Sequence, residues 1–158
     1  MSLIHSGLRW FKIRFPRLAW KLRNLRPSRI QEQKQWEGKS TEEVFTTIYE
    51  KNAWQSEESR SGFGSTLRAT EAIRAQLPRV VQELGARSFL DAPCGDFHWM
   101  QHCPLPVDLY IGADIVPALI ADLNARYAST SRRFCKADIT TDPLPDADVF
   151  FCRDCFLH

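Results

Sequence analysis

Four short apolar segments in the second half of the chain each run into an acidic residue. They end at Asp91, Asp114, Asp138 and Arg153-Asp154. Each segment has the length of a β-strand, and a helical pattern opened by Pro117 separates the second segment from the third. Strands that alternate with helices are typical of a parallel sheet built from right-handed crossovers. The pattern therefore predicts an α/β fold with a Rossmann-like, doubly wound, mostly parallel sheet.

The position of these carboxylates also predicts a binding site, because ligands of parallel sheets bind beyond the carboxyl ends of the strands. The first strand leads into Asp91-Ala92-Pro93-Cys94-Gly95-Asp96. Gly95 would let a ligand approach the backbone, and we expect the following segment to offer helix N-terminal amides. Asp114 comes 19 residues after Gly95, near the ~20 residues at which an acid meets ribose hydroxyls in nucleotide-binding crossovers. Asp138 is placed to accept a hydrogen bond from an adenine amino group.

Composition excludes several other classes of protein. With 158 residues, 44% hydrophobic and 25% charged, the chain is neither collagen-like nor wholly disordered. It has no run of ~20 apolar residues that could cross a membrane. Its five cysteines are an odd number, which favours free thiols in a reducing, cytoplasmic compartment. Cys152-Arg153-Asp154-Cys155 has no second cysteine pair to complete a zinc site, so no metal is predicted.

Charge divides the chain into two parts. Residues 1–40 hold ten lysines and arginines against two glutamates, whereas residues 41–158 hold eleven basic and seventeen acidic side chains. Six apolar residues in the first part recur at spacings of three and four, as on one side of a helix. They are Leu8, Phe11, Phe15, Leu18, Leu22 and Leu25. We predict a basic amphipathic extension and linker over residues 1–40 and a globular domain over residues 41–158.

Several roles remain open for this extension. A basic amphipathic helix suits peripheral contact of residues 1–30 with an anionic membrane. Alternatively, its apolar side docks on the body of the protein or on a protein partner. An organellar transit peptide would share the arginine-rich, acid-free character of residues 1–31. Nucleic acid is the least favoured partner.

Two helices are predicted between the extension and the first strand. The first runs from Thr41 to about Lys51 and is followed by a polar loop, residues 54–64. Ser65 is the predicted N-cap of the second helix, in which Pro78 causes a kink or a break, and Gly85 is its predicted C-terminal cap. The apolar face of this second helix is assigned to Ala69, Ile73, Leu77, Val80, Val81 and Leu84. Beyond the first strand, His98 could reach the binding site, although a structural role is favoured for it.

The acidic strand ends lie within four longer motifs. These are Phe89-Leu90-Asp91-Ala92-Pro93-Cys94-Gly95-Asp96, Gly112-Ala113-Asp114-Ile115, Ala137-Asp138-Ile139 and Asp148-Val149-Phe150-Phe151-Cys152-Arg153-Asp154. In order and spacing they resemble the first four motifs of class I S-adenosylmethionine-dependent methyltransferases, from about residue 85 to the end of the chain. A loop at residues 61–65 resembles, more weakly, an upstream loop that some relatives place over the cofactor.

The resemblance implies a role for each motif in binding S-adenosylmethionine. The turn from Asp91 to Asp96, including Cys94 and Gly95, would hold the methionine part. Asp114 would hold the ribose hydroxyls, with Ile115 against the adenine. Asp138 and Ile139 would bracket the adenine. Arg153 and Asp154 would close the pocket near the sulfonium, and Asp154 would act as the general base if the acceptor must lose a proton.

The first motif departs from the family at two positions. Pro93 and Phe97 stand where the first and third glycines usually lie, so the turn would contact its ligand through Cys94, Gly95 and Asp96. This departure counts against a nicotinamide dehydrogenase, whose pyrophosphate needs the second and third glycines.

The chain ends at His158, after the fourth strand, whereas the sheet of the family has seven strands. We therefore expect a partial methyltransferase domain with an incomplete sheet and no activity by itself. The predicted function is methyl transfer from S-adenosylmethionine to an unidentified acceptor, of the small-molecule or glycan-like class. The alternative is a non-catalytic cofactor-binding or interaction module that residues 1–30 recruit to a membrane or a protein partner.

Overall fold

The computed structural model describes residues 36–155 of the chain. From Ser40 onward, these residues belong to one compact unit. The predicted amphipathic helix of residues 1–30 lies outside the described residues, and its contact with a membrane stays a prediction. None of the described helices is both long enough and apolar enough to span a bilayer.

The unit is built on a four-stranded parallel sheet. Its strands are β1 (Ser88–Asp91), β2 (Leu109–Asp114), β3 (Arg132–Lys136) and β4 (Val149–Phe151). They lie in the order β3-β2-β1-β4, and every neighbouring pair is parallel. This arrangement confirms the predicted α/β, Rossmann-like fold. It also brings the carboxyl ends of all four strands to one edge of the sheet.

Three α-helices accompany the sheet: α1 (Thr41–Lys51), α2 (Glu71–Glu83) and α3 (Pro117–Tyr127). The bounds of α1 agree with the prediction because a capping box fixes its start. The Ser40 hydroxyl accepts a hydrogen bond from the Glu43 N–H at 3.2 Å, and the Glu43 carboxylate accepts one from the Ser40 N–H at 2.7 Å. Pro117 occupies the first turn of α3, as predicted.

The prediction for α2 was wrong at its start and over part of its apolar face. Ser65 is the end of a short 3-10 helix, Phe63–Ser65, and α2 begins six residues later, after Thr70. The hydroxyl of Thr66 accepts a hydrogen bond from the Ala69 N–H at 3.2 Å, so a separate turn precedes the helix. Leu77 and Val81 are buried in the core. Val80 and Leu84, however, are 48% and 65% exposed, because they lie on the outer side of α2.

Pro78 lies inside α2 without dividing it. A proline cannot donate a hydrogen bond to the carbonyl four residues earlier, which here belongs to Arg74. The Cys103 Sγ lies 4.0 Å from that carbonyl oxygen and provides a weak donor in its place. At the end of the helix, Gly85 has φ +65° and its N–H donates to the Gln82 carbonyl, so the predicted cap is present.

The two faces of the sheet are covered differently. One face packs against α2 and α3 through a large apolar cluster that includes Phe89, Tyr110 and Phe134. The other face carries a smaller cluster around Leu90 and Ile111, packed against the segment that follows β3 and not against a helix in the described residues. β4 is an edge strand of the described sheet. Its Phe150, which points to the second face, is 55% exposed.

The crossover from β1 to β2 differs from the expected strand–helix–strand unit. Residues 92–108 contain only a three-residue 3-10 helix, Met100–His102, so the predicted helix N-terminal amides are absent there. Pro104 and Pro106 interrupt hydrogen bonding just beyond it. The side chains of Phe97, Trp99 and Met100 instead enter the core as an irregular, apolar loop.

Candidate functional site

A cavity of about 540 Å³ lies at the carboxyl edge of the sheet. Its size falls within the ~300–1,000 Å³ typical of small-molecule sites. Residues following all four strands line it, as do α1, Trp54 and the loop around Ser61. Of the ten predicted site residues, nine line the cavity: Asp91, Cys94, Gly95, Asp114, Ile115, Asp138, Ile139, Arg153 and Asp154. The tenth, Asp96, does not.

Carboxylates dominate the charge of the cavity. Four aspartates line it, one at or just beyond the end of each strand, together with two arginines, Arg60 and Arg153. Such a wall attracts a ligand with a cationic group and repels a polyanion, because Coulomb interactions are strong where water is partly excluded.

Asp91 is the most buried of these acids, at 3% exposure. Its Oδ2 accepts a hydrogen bond from the Tyr110 hydroxyl at 2.7 Å. Burial raises the pKa of Asp91 from 3.8 to about 7, and the nearby Asp114 adds to the shift, while Tyr110 and Arg153 oppose it. The protein therefore carries a carboxyl group that exchanges its proton near neutral pH at the inner wall of the cavity.

Asp114 connects the ends of β1 and β2. Its Oδ2 accepts a hydrogen bond from the Gly95 N–H at 3.0 Å, and its Oδ1 accepts one from the Val116 N–H at 3.1 Å. Burial raises its pKa, whereas these backbone donors lower it. The Ile115 N–H also acts on this carboxylate. Two carboxylate oxygens have four lone pairs in total, so three backbone donors leave capacity for a hydrogen bond from a ligand.

Cys94 has a structural position in the turn. Its N–H donates to the Ala113 carbonyl at 2.8 Å, and burial raises the pKa of its thiol well above the ordinary value. A protonated thiol is a poor nucleophile. A Cβ at Gly112 would lie 3.1 Å from the Cys94 Sγ and 2.6 Å from a ring carbon of Phe134, so the turn packs closely over a glycine of β2.

Asp138 and Ile139 lie where the chain leaves β3. One oxygen of Asp138 accepts hydrogen bonds from the Thr140 N–H at 2.8 Å and the Thr140 hydroxyl at 2.6 Å, which lowers its pKa. Asp138 is thus a charged residue with one carboxylate oxygen already used by the following turn. Ile139 packs against the cluster on the second face of the sheet.

Arg153 and Asp154 lie after β4 and form an ion pair at 3.0 Å. The Arg153 Nη2 also donates to the Gly64 carbonyl at 2.8 Å, and the guanidinium lies 5.6 Å from the ring centre of Trp99. The Asp154 side chain is half-exposed, with φ +55° at its backbone. Asp154 thus has both solvent access and access to the cavity.

Asp96 points away from the cavity, toward a loop that we call the strap, residues 59–65. Its carboxylate accepts hydrogen bonds from the Ser59 hydroxyl and from the Arg60 N–H. Gly95 is needed for the same contact, because a Cβ on this residue would clash with the Ser61 hydroxyl. Glycine at position 95 is therefore required by the packing of the strap, in addition to any requirement of a ligand.

Sequence patterns did not reveal how α1 and Trp54 contribute to the site. Thr41, Phe45 and Tyr49 recur every four residues along α1 and all line the cavity. Glu42 on the same helix forms an ion pair at 2.6 Å with Lys136 at the end of β3. This ion pair holds α1 against the carboxyl edge of the sheet. The i, i+4 spacing was a signal of a helix face but did not show what that face covers.

His98 lies outside the cavity, whereas Cys155 of the cysteine pair lines it. The His98 Nε2 lies 3.0 Å from the Glu58 carboxylate, and His98 does not line the cavity. Cys152 and Cys155 are free thiols. Within residues 36–155, no group of three or more His, Cys, Asp or Glu side chains is arranged to hold a metal ion.

The chain has little detectable similarity to known proteins. No protein-family model matches the chain, and no curated protein matches it. Among solved structures, it is similar to human N-acetylserotonin methyltransferase in complex with SAM, with 21% identity and a TM-score of 0.45. That alignment covers 73% of this chain and 33% of the other, so the chain spans about a third of that protein's length. A likeness at this level identifies no family, and the α/β assignment rests on the sheet itself.

Proposed function

We propose that the cavity binds S-adenosylmethionine and that the protein transfers its methyl group to an acceptor. The observation that carries the proposal is the ring of four aspartates after the four strands, with Asp114 bonded directly to Gly95. S-adenosylmethionine carries a sulfonium and an ammonium group, and both are favoured beside carboxylates. The similar solved structure is that of a methyltransferase in complex with SAM, which agrees with the proposal without carrying it.

Each residue has a task in this proposal. Asp114 holds the ribose hydroxyls with the lone pairs that Gly95 and Val116 leave available. Asp91 lies in the wall beside the turn, where the ammonium group of the methionine part would favour the charged form of its carboxyl group. Asp138 and Ile139 bracket the adenine after β3.

The reaction needs little chemistry from the protein. A methyl group on a sulfonium is already electrophilic, so holding an acceptor in line with it provides much of the acceleration. Asp154 is the candidate general base, because it is half-exposed and lines the cavity. A base is required only when the acceptor loses a proton as it reacts.

A dinucleotide fits this cavity poorly. Its pyrophosphate needs free backbone amides, preferably at a helix N-terminus. Here the Gly95 N–H is already bonded to Asp114, and only a 3-10 helix follows β1 in the crossover. The surrounding aspartates would add repulsion.

The acceptor and the cellular setting are proposed from the sequence. We assign a small-molecule or glycan-like acceptor, a cytoplasmic location, and contact of residues 1–30 with an anionic membrane surface. The alternative, a cofactor-binding module without catalysis, is favoured by one observation: Arg153 holds the carboxylate of Asp154 in an ion pair.

Calorimetric titration with S-adenosylmethionine tests the proposal. Asp114→Asn retains an oxygen for Val116 but places an amide where Gly95 donates, and it removes the charge that the ribose hydroxyls meet. Since a hydrogen bond to a charged group contributes about 1.5–3 kcal/mol, we expect at least about tenfold weaker binding. Asp122→Asn is the matched control, because Asp122 lies on α3 outside the cavity and pairs with Arg126.

Two results would refute the proposal: no binding by the wild-type protein, or unchanged binding by folded Asp114→Asn. Formation of S-adenosylhomocysteine with a mixture of candidate acceptors then separates the enzyme from the non-catalytic module. Binding without any product from acceptors of every class supports the module.

A further inference from the structure

Asp96 makes an unusually large number of contacts with the strap, residues 59–65. Its carboxylate accepts hydrogen bonds from the Ser59 hydroxyl at 3.0 Å, the Arg60 N–H at 2.6 Å and the Ser61 hydroxyl at 3.2 Å. The Asp96 N–H in turn donates to the Ser61 hydroxyl at 2.8 Å. Three consecutive residues of the strap are thus fastened to one residue, which lies 35–37 positions later in the chain.

The strap lies along the cavity between two of its turns. Arg60, Ser61 and Ser65 line the cavity. At the other end of the strap, the Gly64 carbonyl accepts the hydrogen bond from Arg153 described above. The strap therefore connects the turn after β1 with the turn after β4, and it has a carboxylate at one end and a guanidinium at the other.

Asp96 itself is outside the cavity, so it cannot contact a ligand there in this arrangement. Ser59 is 2% exposed and is also absent from the cavity wall. Their contacts therefore reach a bound ligand only through the strap, whereas the charge of Asp96 also acts on Asp114, whose pKa is raised by burial and further by this charge. Ser59 carries no charge and isolates the contribution of the strap. A carboxylate acceptor makes stronger hydrogen bonds than a neutral one, which suits a fastening that must hold a loop containing two glycines.

We propose that Asp96 is a positioning residue, whose carboxylate holds the strap against the cavity and so slows the release of the bound cofactor. The proposal rests on the proposed function for the identity of the cofactor. The fastening itself rests only on the contacts between Asp96 and the strap.

Two measurements test it on the full chain. Trypsin cleavage after Arg60, followed by mass spectrometry, reports the position of the strap directly. Stopped-flow dissociation of S-adenosylmethionine reports its consequence. We expect Asp96→Asn to accelerate both by about tenfold, because a neutral amide replaces the charged acceptor of several hydrogen bonds.

Ser59→Ala is the second variant, since it removes the contact of the Ser59 hydroxyl with Asp96, and the hydrogen bond that this hydroxyl accepts from the Ser61 N–H, without changing any charge. Its effects should have the same direction as those of Asp96→Asn. The double variant should be no faster than Asp96→Asn alone, because both changes break the same fastening. Asp108→Asn is the matched control, because Asp108 is exposed beside Arg87 at the start of β2 and should leave both rates unchanged. Circular dichroism confirms that each variant is folded.

The outcomes distinguish the two proposals. Unchanged cleavage after Arg60 in both Asp96→Asn and Ser59→Ala would overturn the fastening. Faster cleavage with an unchanged rate of cofactor release would overturn the positioning role. A wild-type protein that binds no S-adenosylmethionine would instead refute the proposed function, and with it the effect on release.

Discussion

Replacing Asp91 by asparagine should stabilise the folded protein at neutral pH. Asp91 is buried, and its burial raises its pKa from 3.8 to about 7. An acid whose pKa is raised in the folded state favours folding while it is protonated and disfavours it when it is charged. Asparagine has the same shape and no charge, and its oxygen can still accept the hydrogen bond from Tyr110. The variant therefore avoids the cost of burying a carboxylate.

The expected magnitude follows from the two pKa values. Between pH 3.8 and about 7 the folded protein retains a proton that the unfolded chain has lost. The stability of the wild type therefore falls with rising pH across this window, by about 1.4 kcal/mol per pH unit. The full difference corresponds to about 4 kcal/mol, which is an upper value because buried sites relax and admit water. Above pH 7 the difference between the two proteins should become constant.

Urea unfolding of wild type and Asp91→Asn between pH 5 and pH 8 tests this. The advantage of the variant should grow by about 2–3 kcal/mol across that range and then level off. Asp108→Asn is the control, since this exposed carboxylate pairs with Arg87 and an exposed pair contributes little at any pH. Curves for wild type and Asp91→Asn that stay parallel within about 0.5 kcal/mol would refute a raised pKa at Asp91.

Two further predictions concern the strap and the extension. Gly95→Ala should destabilise the fold by at least about 1 kcal/mol more than Gly85→Ala. Both glycines have positive φ, but only Gly95 has the Ser61 hydroxyl where the Cβ would be. Equal losses of stability in urea unfolding would show that the strap does not lie on the turn. A peptide of residues 1–30 should become helical by circular dichroism on anionic vesicles but not on neutral ones, since each basic side chain contributes about 1 kcal/mol near an anionic surface. Equal helicity on both kinds of vesicle would refute the proposed membrane contact.

The positions of the acidic residues could be predicted because the necessary information is local. An apolar strand that ends in an aspartate needs only about six residues to be recognised, and parallel pairing then places every such end at the same edge. Asp91, Asp114 and Asp138 are therefore found together around one cavity, as are the residues that follow β4. The start of α1 was equally local, because the capping box spans only Ser40 to Glu43.

The strap and the first crossover could not be predicted, because their structure depends on distant contacts. Ser59 and Asp96 are 37 residues apart, and no periodicity connects them. The segment after Gly95 follows the first motif, where a helix was expected to begin, but it does not form that helix. Its aromatic residues Phe97 and Trp99 are buried in the core, and the partners that bury them come from distant parts of the chain.

The aspartates of the site also show why a motif alone does not assign a role. Asp96 and Asp114 both follow strands closely, and both were assigned to the cofactor from the sequence. The strap and the His98 N–H take up the carboxylate of Asp96, whereas Asp114 is bonded only to backbone N–H groups near the strand ends and lines the cavity. What a carboxylate can do for a ligand depends on the lone pairs that the protein leaves unused. This difference is set by the loop that happens to pack beside each residue. It is why Asp114→Asn should act on the cofactor by direct contact, whereas the contacts that Asp96→Asn changes are those with the strap.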